Sequence, residues 1–392
     1  MKKLLWLLLL SGLTYAASPS VSLVNYQKKY SLCQGKSDYQ IATCLLNGNL
    51  NYGYFRGDKS AYRQISTKKI SQAVHKGEGY EFTLKHLPKS KRYTSLIKYT
   101  DYLYSLRKTY NPPKFKGDKE EDIRRIKKVF NLFQNAGLTE NAETGPSFES
   151  ELLEYQRRNG LAVDGDIGPQ TRRALKQSIY DLLKRVKKNL TLERISTPKP
   201  STYILVNIPE YKMSYFEAGE PLLTMRIIVG KRAMRTPIFN RKIKYIVKNP
   251  RWNVPASIYR KEYAHQSYAK LKRQGFAYNS DGRLYQKSGP KNALGKVKFL
   301  FPNHFNVYMH DTPAKSLFKK RTRAFSHGCI RLEKPMELLN NLGYSYTNKQ
   351  NKWLTLRHQI PVFIEYHTVW VDPSGVVQFR PDIYGYEKKL FR

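Results

Sequence analysis

The sequence predicts an α+β chain of several domains, with a mainly helical N-terminal half and a mostly β C-terminal domain. Three observations carry that expectation. At 392 residues the chain is long enough for two or three folded units of about 100–200 residues each. Its 40% hydrophobic and 13% aromatic content exceeds what a disordered polyelectrolyte carries. Beyond Pro198-Lys199-Pro200 the apolar period changes from helical to alternating.

The elements follow in order. Lys2 and Lys3 precede the apolar run Leu4 to Leu10, broken only by Trp6, and Thr14-Tyr15-Ala16-Ala17 closes it with small residues. This is the pattern of a secretory signal peptide over residues 1–16; the alternative, an uncleaved anchor, needs a longer apolar run than this one. The expected location is the periplasm. Residues 17–140 read as a mainly helical scaffold: Ile41 to Leu46 is helix-like, and Ile123, Ile126, Val129, Phe130 and Phe133 keep helical spacing over Glu120 to Phe133. In an oxidising compartment Cys33 and Cys44, eleven positions apart, are expected to form a structural disulfide. Cys329 then remains as the odd thiol, the one whose surroundings matter.

A small helical unit is expected over 141–196. Phe148, Leu152 and Tyr155 share a helix face, Asn159-Gly160-Leu161 ends that helix, Asp164 to Gly168 makes a tight loop, and Pro169 opens a second helix through Leu175. From 199 to 386 the pattern is β. Expected strands are Tyr203 to Ile208, Lys212 to Phe216, Leu222 to Val229, Lys242 to Val247, Val297 to Phe301, Phe305 to His310 and Pro361 to Tyr366. A basic, Tyr-rich insertion at about 252–288, helix-like over Tyr259 to Leu271, reads as a cap over a site.

Charge narrows the partners. Seventy Lys and Arg against 30 Asp and Glu leave a formal +40. Such a surface favours acidic envelope polymers, including peptides with free carboxylates, and anionic lipid. The aromatic residues are not interleaved with Arg and Gly as in single-strand binders, and an exported chain rarely meets nucleic acid, so no nucleic-acid partner is expected.

The chemistry is expected at Ser326-His327-Gly328-Cys329-Ile330-Arg331. A nucleophilic cysteine needs a base, donors for an oxyanion, and backbone that admits a carbonyl; Gly328 supplies the close approach. His327 and His310, nineteen positions upstream of the thiol, both qualify as the base at this level of reading.

Two resemblances sharpen these readings. Tyr155-Gln156, Gly160-Leu161, Asp164-Gly165, Gly168-Pro169, Thr171 and Ala174-Leu175 resemble, in order, the type 1 peptidoglycan-binding domain. The stretches "VNIPEYKMSYF", "VGKRAMRTPIF", "GPKNALGKVKFLFPNHFNVYMHDTP" and "AFSHGCIRL", with the C-terminal "PVFIEYHTVWVDPSGVVQFRPDIYG", resemble the L,D-transpeptidase catalytic domain, as in its large periplasmic members. That resemblance implies a β-sandwich-like domain in which Cys329 is the acyl-accepting nucleophile and His310 the general base. His327 would line the site, the amides of Gly328 and Cys329 would form the oxyanion hole, and Arg331 would hold the motif loop or a substrate carboxylate. Ser326 and Tyr308 would support them, and either a main-chain carbonyl or the Asp311 carboxylate would orient His310. Trp252 is a candidate stem-peptide contact, with core packing as its alternative.

The implied reaction is acyl transfer between peptidoglycan stems, in which a tetrapeptide acylates Cys329, D-alanine leaves, and third residues become cross-linked. The alternatives are an L,D-carboxypeptidase that trims tetrapeptides to tripeptides, and a non-catalytic peptidoglycan-binding scaffold. No cofactor or metal is expected, because no His or Cys spacing forms a site. Peptidoglycan, both stem peptide and glycan, is the expected partner. Envelope proteins docking on 17–140, and a carbapenem β-lactam as inhibitor, are further expectations.

Overall fold

The computed structural model describes residues 20–388 apart from 52, 53 and 55, so the expected signal peptide lies outside the described residues. Nine helices open the described chain: α1 (Val21–Tyr30), α2 (Asp38–Asn47), α3 (Thr67–His75), α4 (Gly79–Lys85), α5 (Lys91–Leu106), α6 (Lys119–Gln134), α7 (Pro146–Arg158), α8 (Pro169–Leu175) and α9 (Ile179–Ile195). Serines cap several of them: Ser20, Ser37, Ser90 and Ser178 each accept a first-turn N–H that no helical carbonyl could take. Cys33 and Cys44 are bridged, tying the segment after α1 to α2. Among the described residues no helix is long and apolar enough to cross a membrane.

Packing draws the boundary of the small helical unit differently from 141–196. Ile126, Val129 and Phe130 of α6 share one core with Phe148, Leu152, Tyr155 and Leu175, so the unit begins at α6. Helix α9 instead lies along α5, where Tyr93, Leu96 and Leu103 meet Ile179, Leu182, Val186 and Leu190. Gln156 explains its own place in the motif: its Oε1 accepts from the Asp164 and Gly165 N–H groups at 3.1 and 3.0 Å, and its Nε2 donates to Asp164 Oδ1 and to the Asp166 carbonyl, both at 2.9 Å. A buried amide thus satisfies a loop that would otherwise leave polar backbone in the interior.

Fourteen strands follow: β1 (Tyr203–Asn207), β2 (Lys212–Glu217), β3 (Glu220–Gly230), β4 (Phe239–Lys248), β5 (Trp252–Asn253), β6 (Phe276–Tyr278), β7 (Leu284–Gln286), β8 (Val297–Leu300), β9 (Met309–His310), β10 (Ala324–Ser326), β11 (Ile330–Leu332), β12 (Lys352–Glu365), β13 (Val369–Val371) and β14 (Val377–Phe379). The main sheet runs β10-β3-β11-β9-β8-β4-β12-β1-β2, and β2 also pairs with β3. The sheet therefore closes on itself, and its opposed walls enclose one core. Ile204, Met213, Ile227, Ile246, Phe299, Met309, Ile330 and Ile364 point into it. Closure leaves few unpaired edges.

The helical half is locked onto this domain. The β13–β14 hairpin puts Val369, Val371 and Phe379 into the α5–α9 core. Half-buried Arg92 of α5 lies 2.6 Å from Glu193 of α9 and 3.7 Å from Glu365 of β12, and Lys199 lies 2.6 Å from Glu365. These charges, with the Lys199 ammonium foremost, hold the Glu365 carboxyl well below its ordinary range although burial opposes them.

Two expected elements differ. The stretch Phe305 to Tyr308 is a loop and only Met309–His310 is strand, because Asn303 competes with the ladder: its Oδ1 accepts from Phe305 and Val307, and its Nδ2 donates to the Phe301 and Val307 carbonyls. In the insertion the expected helix Tyr259 to Leu271 is split. A turn at Ala256–Ile258 runs into a single π turn, Tyr259–Tyr263, and a new helix, Tyr268–Arg273, starts at the capping hydroxyl of Ser267.

Candidate active site

Strand register assembles the site. In parallel β11 and β9, Arg331 pairs with His310 and Ile330 with Met309; in antiparallel β8 and β9, Lys298 pairs with His310 and Phe299 with Met309. Paired residues share a face. Phe299, Met309 and Ile330 go to the core, so Lys298, His310 and Arg331 stand together on the outer face. Tyr308 and Cys329 lie two positions before His310 and Arg331, and the Ile330 N–H donates to the Tyr308 carbonyl at 3.0 Å, which carries the same face one step further.

The His310 ring settles its own tautomer. Its Nδ1 lies 2.5 Å from the Asp311 carbonyl, an acceptor only, so Nδ1 carries the proton and Nε2 keeps a lone pair. The main-chain carbonyl thus orients the imidazole. The Asp311 carboxylate is engaged elsewhere, accepting from Lys315 Nζ at 2.7 Å and the Lys296 N–H at 2.8 Å. Gly295 makes room for it, since a Cβ there would overlap that carboxylate, and its φ of 60° suits glycine.

Burial, with Arg331 nearby, lowers the His310 pKa to about 3. Burial raises the Cys329 thiol to about 11, against the opposing pull of the Tyr308 backbone N–H, Arg331, Arg56 and the Tyr308 hydroxyl. The resting pair is therefore a neutral thiol and a neutral imidazole at neutral pH. Sγ also lies 3.8 Å from the Asn306 carbonyl.

The motif loop is held by hydroxyls. Ser326 Oγ donates to the Cys329 carbonyl at 2.6 Å and accepts from the Gly328 N–H at 3.1 Å, while Thr236 Oγ1 donates to the Gly328 carbonyl at 2.8 Å. The Gly328 amide is thus already used, which corrects the expectation that it completes an oxyanion hole. Of the two roles expected for Arg331, the structure removes one. Its guanidinium makes no hydrogen bond among the described residues and its Nε is buried without a partner, so it does not hold the loop. Trp252 is buried in the core of the cap with Ile258, Leu271, Phe276 and Leu284, so its packing alternative accounts for its position.

His327 joins the cap: its Nε2 lies 2.6 Å from Glu262 Oε1, within the π turn. Sequence reasoning missed Glu262, Lys298, Thr236 and Arg56. Thr236 and Lys298 lie inside the stretches that carried the resemblance, which was the available signal; Glu262 and Arg56 had none, since only the packing of distant segments brings them here.

Residues 201–364 match the family model for the L,D-transpeptidase catalytic domain, and residues 119–175 match the one described as "Putative peptidoglycan binding domain". A Haemophilus influenzae protein named "Putative L,D-transpeptidase" is 33% identical over 221 residues, covering 48% of this chain and 45% of that relative. The chain thus spans less than half the length of the curated relative it matches. Among solved structures, an L,D-transpeptidase from Mycobacterium smegmatis is 16% identical with a TM-score of 0.26, over 42% of this chain and 58% of that one. The E. faecium catalytic domain acylated by ertapenem is 16% identical with a TM-score of 0.27, over 43% and 100%. An L,D-transpeptidase from Stackebrandtia nassauensis is 12% identical with a TM-score of 0.29, over 66% and 97%.

Proposed function

We propose that this chain, whose residues 201–364 match the L,D-transpeptidase catalytic domain and whose residues 119–175 match a peptidoglycan-binding domain, transfers acyl groups between peptidoglycan stems through Cys329. The observation that carries this reading is the tautomer of His310. With the proton fixed on Nδ1 by the Asp311 carbonyl, Nε2 is a base on the face that also holds the thiol.

The steps follow from these residues. The thiol and imidazole are neutral at rest, so proton transfer to Nε2 accompanies attack of Sγ on the carbonyl carbon of the stem's third residue. The Tyr308 hydroxyl and the Cys329 N–H donate to the oxyanion. Collapse breaks the peptide bond, His310 returns its proton to the leaving D-alanine amine, and a thioester remains on Cys329. The side-chain amine of another stem then attacks that thioester, His310 takes its proton, and the Cys329 thiol is restored as a cross-link between third residues forms. A strained carbapenem carbonyl presents the same electrophile and would acylate the same sulfur.

Residues 119–175 would hold the chain on the wall, and the N-terminal scaffold offers a surface for envelope partners. The signal-like opening of the sequence and the Cys33–Cys44 bridge support work in the periplasm.

Mass spectrometry of disaccharide-tetrapeptide incubated with the protein and with Cys329→Ala tests the proposal. Cross-linked dimers lacking one D-alanine, absent in the variant, are expected. Tripeptide monomers alone would replace transfer by carboxypeptidase trimming. Unchanged substrate in both samples would overturn the enzymatic reading in favour of a binding scaffold.

A further inference from the structure

The N-terminal region reaches the active site. Residues 56–58 run alongside the start of β4: Ile238 N–H donates to the Arg56 carbonyl at 2.8 Å, Asp58 N–H to the Ile238 carbonyl at 3.0 Å, and Gly57 bridges Ile238 in parallel. The Arg56 N–H donates to the Tyr386 hydroxyl at 3.2 Å. These bonds fix the backbone of Arg56 on the catalytic domain although more than a hundred residues of helix separate the two in sequence.

Its side chain lies over the motif loop. Nη1 donates to the Arg235 carbonyl at 2.7 Å, and a Cβ placed on Gly328 would stand 3.4 Å from that same nitrogen. One donor of the fork is used, and no other protein acceptor among the described residues takes the rest. The nearest acid in sequence, Asp58, is turned away, held by Arg241 at 2.7 Å. Arg235 and Arg331 likewise have no ion-pair partner among the described residues. Arg56 and Arg331 both act on the Cys329 sulfur, and two such guanidinium groups without an ion pair are unfavourable in the empty protein and become favourable when an anion arrives. Planar forks of this kind match carboxylates.

We propose that Arg56, lent by the N-terminal region, is a substrate-binding residue of the active site that reads a free carboxylate of the stem peptide. The inference rests on the acyl-transfer reading for the identity of the ligand. It makes residues 17–140 part of the catalytic unit as well as a scaffold. The stem offers that chemistry at two places, the C-terminal carboxylate of the leaving residue and the α-carboxylate of the second residue. Influence of the Arg56 charge on the Cys329 sulfur supports the closeness of the two groups.

The test uses the full chain in the Cys329→Ala background, with disaccharide-tetrapeptide as the probe and calorimetry as the readout. Arg56→Gln is expected to raise the dissociation constant of the free-acid stem about tenfold and to leave that of one amidated stem unchanged. Amidation at the C-terminus or at the second residue, tried separately, identifies which carboxylate is read. Arg56→Lys, which keeps the charge without the fork, should recover part of the loss. Equal losses for acid and both amidated stems, or no loss at all, would overturn the assignment, since a merely structural role does not distinguish them. Turnover by the Cys329 chain is followed in parallel: a selective loss without turnover keeps Arg56 and overturns the transferase reading, whereas turnover without selective loss removes Arg56 alone.

Discussion

Glu262 Oε1 and His327 Nε2 stand 2.6 Å apart, and through that contact the cap touches the catalytic motif. Glu262 belongs to the one π turn of the insertion, a distortion that turns its side chain toward His327, two residues before Cys329. The cap has its own small core around Trp252, Leu271 and Phe276, against which Tyr308 also packs. If the proposed acyl transfer runs through Cys329, a cap so anchored would shield its thioester from water.

Glu262→Gln should therefore loosen the cap without unfolding it. Hydrogen exchange over 252–288 is expected to rise while exchange in β4 and β12 stays constant, and the yield of trimmed tripeptide should grow relative to dimers. An unchanged exchange pattern would show that the cap is held by its packing alone.

The neutral resting pair has a kinetic signature. A thiol raised to about 11 is almost entirely protonated at neutral pH, and its thiolate fraction rises about tenfold per pH unit below that value. Alkylation of Cys329 by iodoacetamide should follow that slope between pH 7 and 9. A rate that is flat across the range would mean a preformed thiolate–imidazolium pair, and with it a His310 far above the lowered value that burial gives it.

Gly295→Ala tests how the base is positioned. The new methyl would occupy the space of the Asp311 carboxylate, which accepts from Lys296 and Lys315, and so would shift the carbonyl that holds His310. A displacement of this order costs roughly 100-fold in kcat, with KM little changed. Wild-type kcat in the variant would show that the carbonyl keeps its place without the carboxylate.

Cys33→Ser should remove about 2–3 kcal/mol of stability, the amount expected for closing a short loop, and lower Tm without changing kcat. Melting and turnover are the two measurements; a drop in turnover with Tm intact would point to a role for the bridge in placing Arg56.

Much of this protein is legible in local pattern. Alternation showed β1 to β4 because each buries one face, and Pro169 marks a helix start because its missing N–H and fixed φ suit the first helical turn. The loop at Asn303 and the split at Ser267 were not legible, since a side chain that competes with backbone pairing looks like any polar residue in a strand or helix. The share of α6 in the small helical core around Phe148 and Tyr155 was hidden for another reason: an amphipathic helix declares that it has a partner but not which one.

At the site the division is similar. The order Ser326-His327-Gly328-Cys329 and the strand ending at His310 mark the candidate thiol and imidazole, because a nucleophile, a base and a tight turn would need those residue types close together in the chain. Which atom orients His310, that Ser326 consumes the Gly328 amide, and that Arg331 is left without an acceptor depend on distances between strands. Arg56 and Glu262 are the extreme case, separated from Cys329 by 273 and 67 positions. By itself the sequence determined the chemistry-bearing motif and the run of helices and strands, since those arise from neighbours along the chain. Only the tertiary structure decided which charges surround the thiol, because closing the sheet and docking the N-terminal segment on β4 join residues that no local period relates.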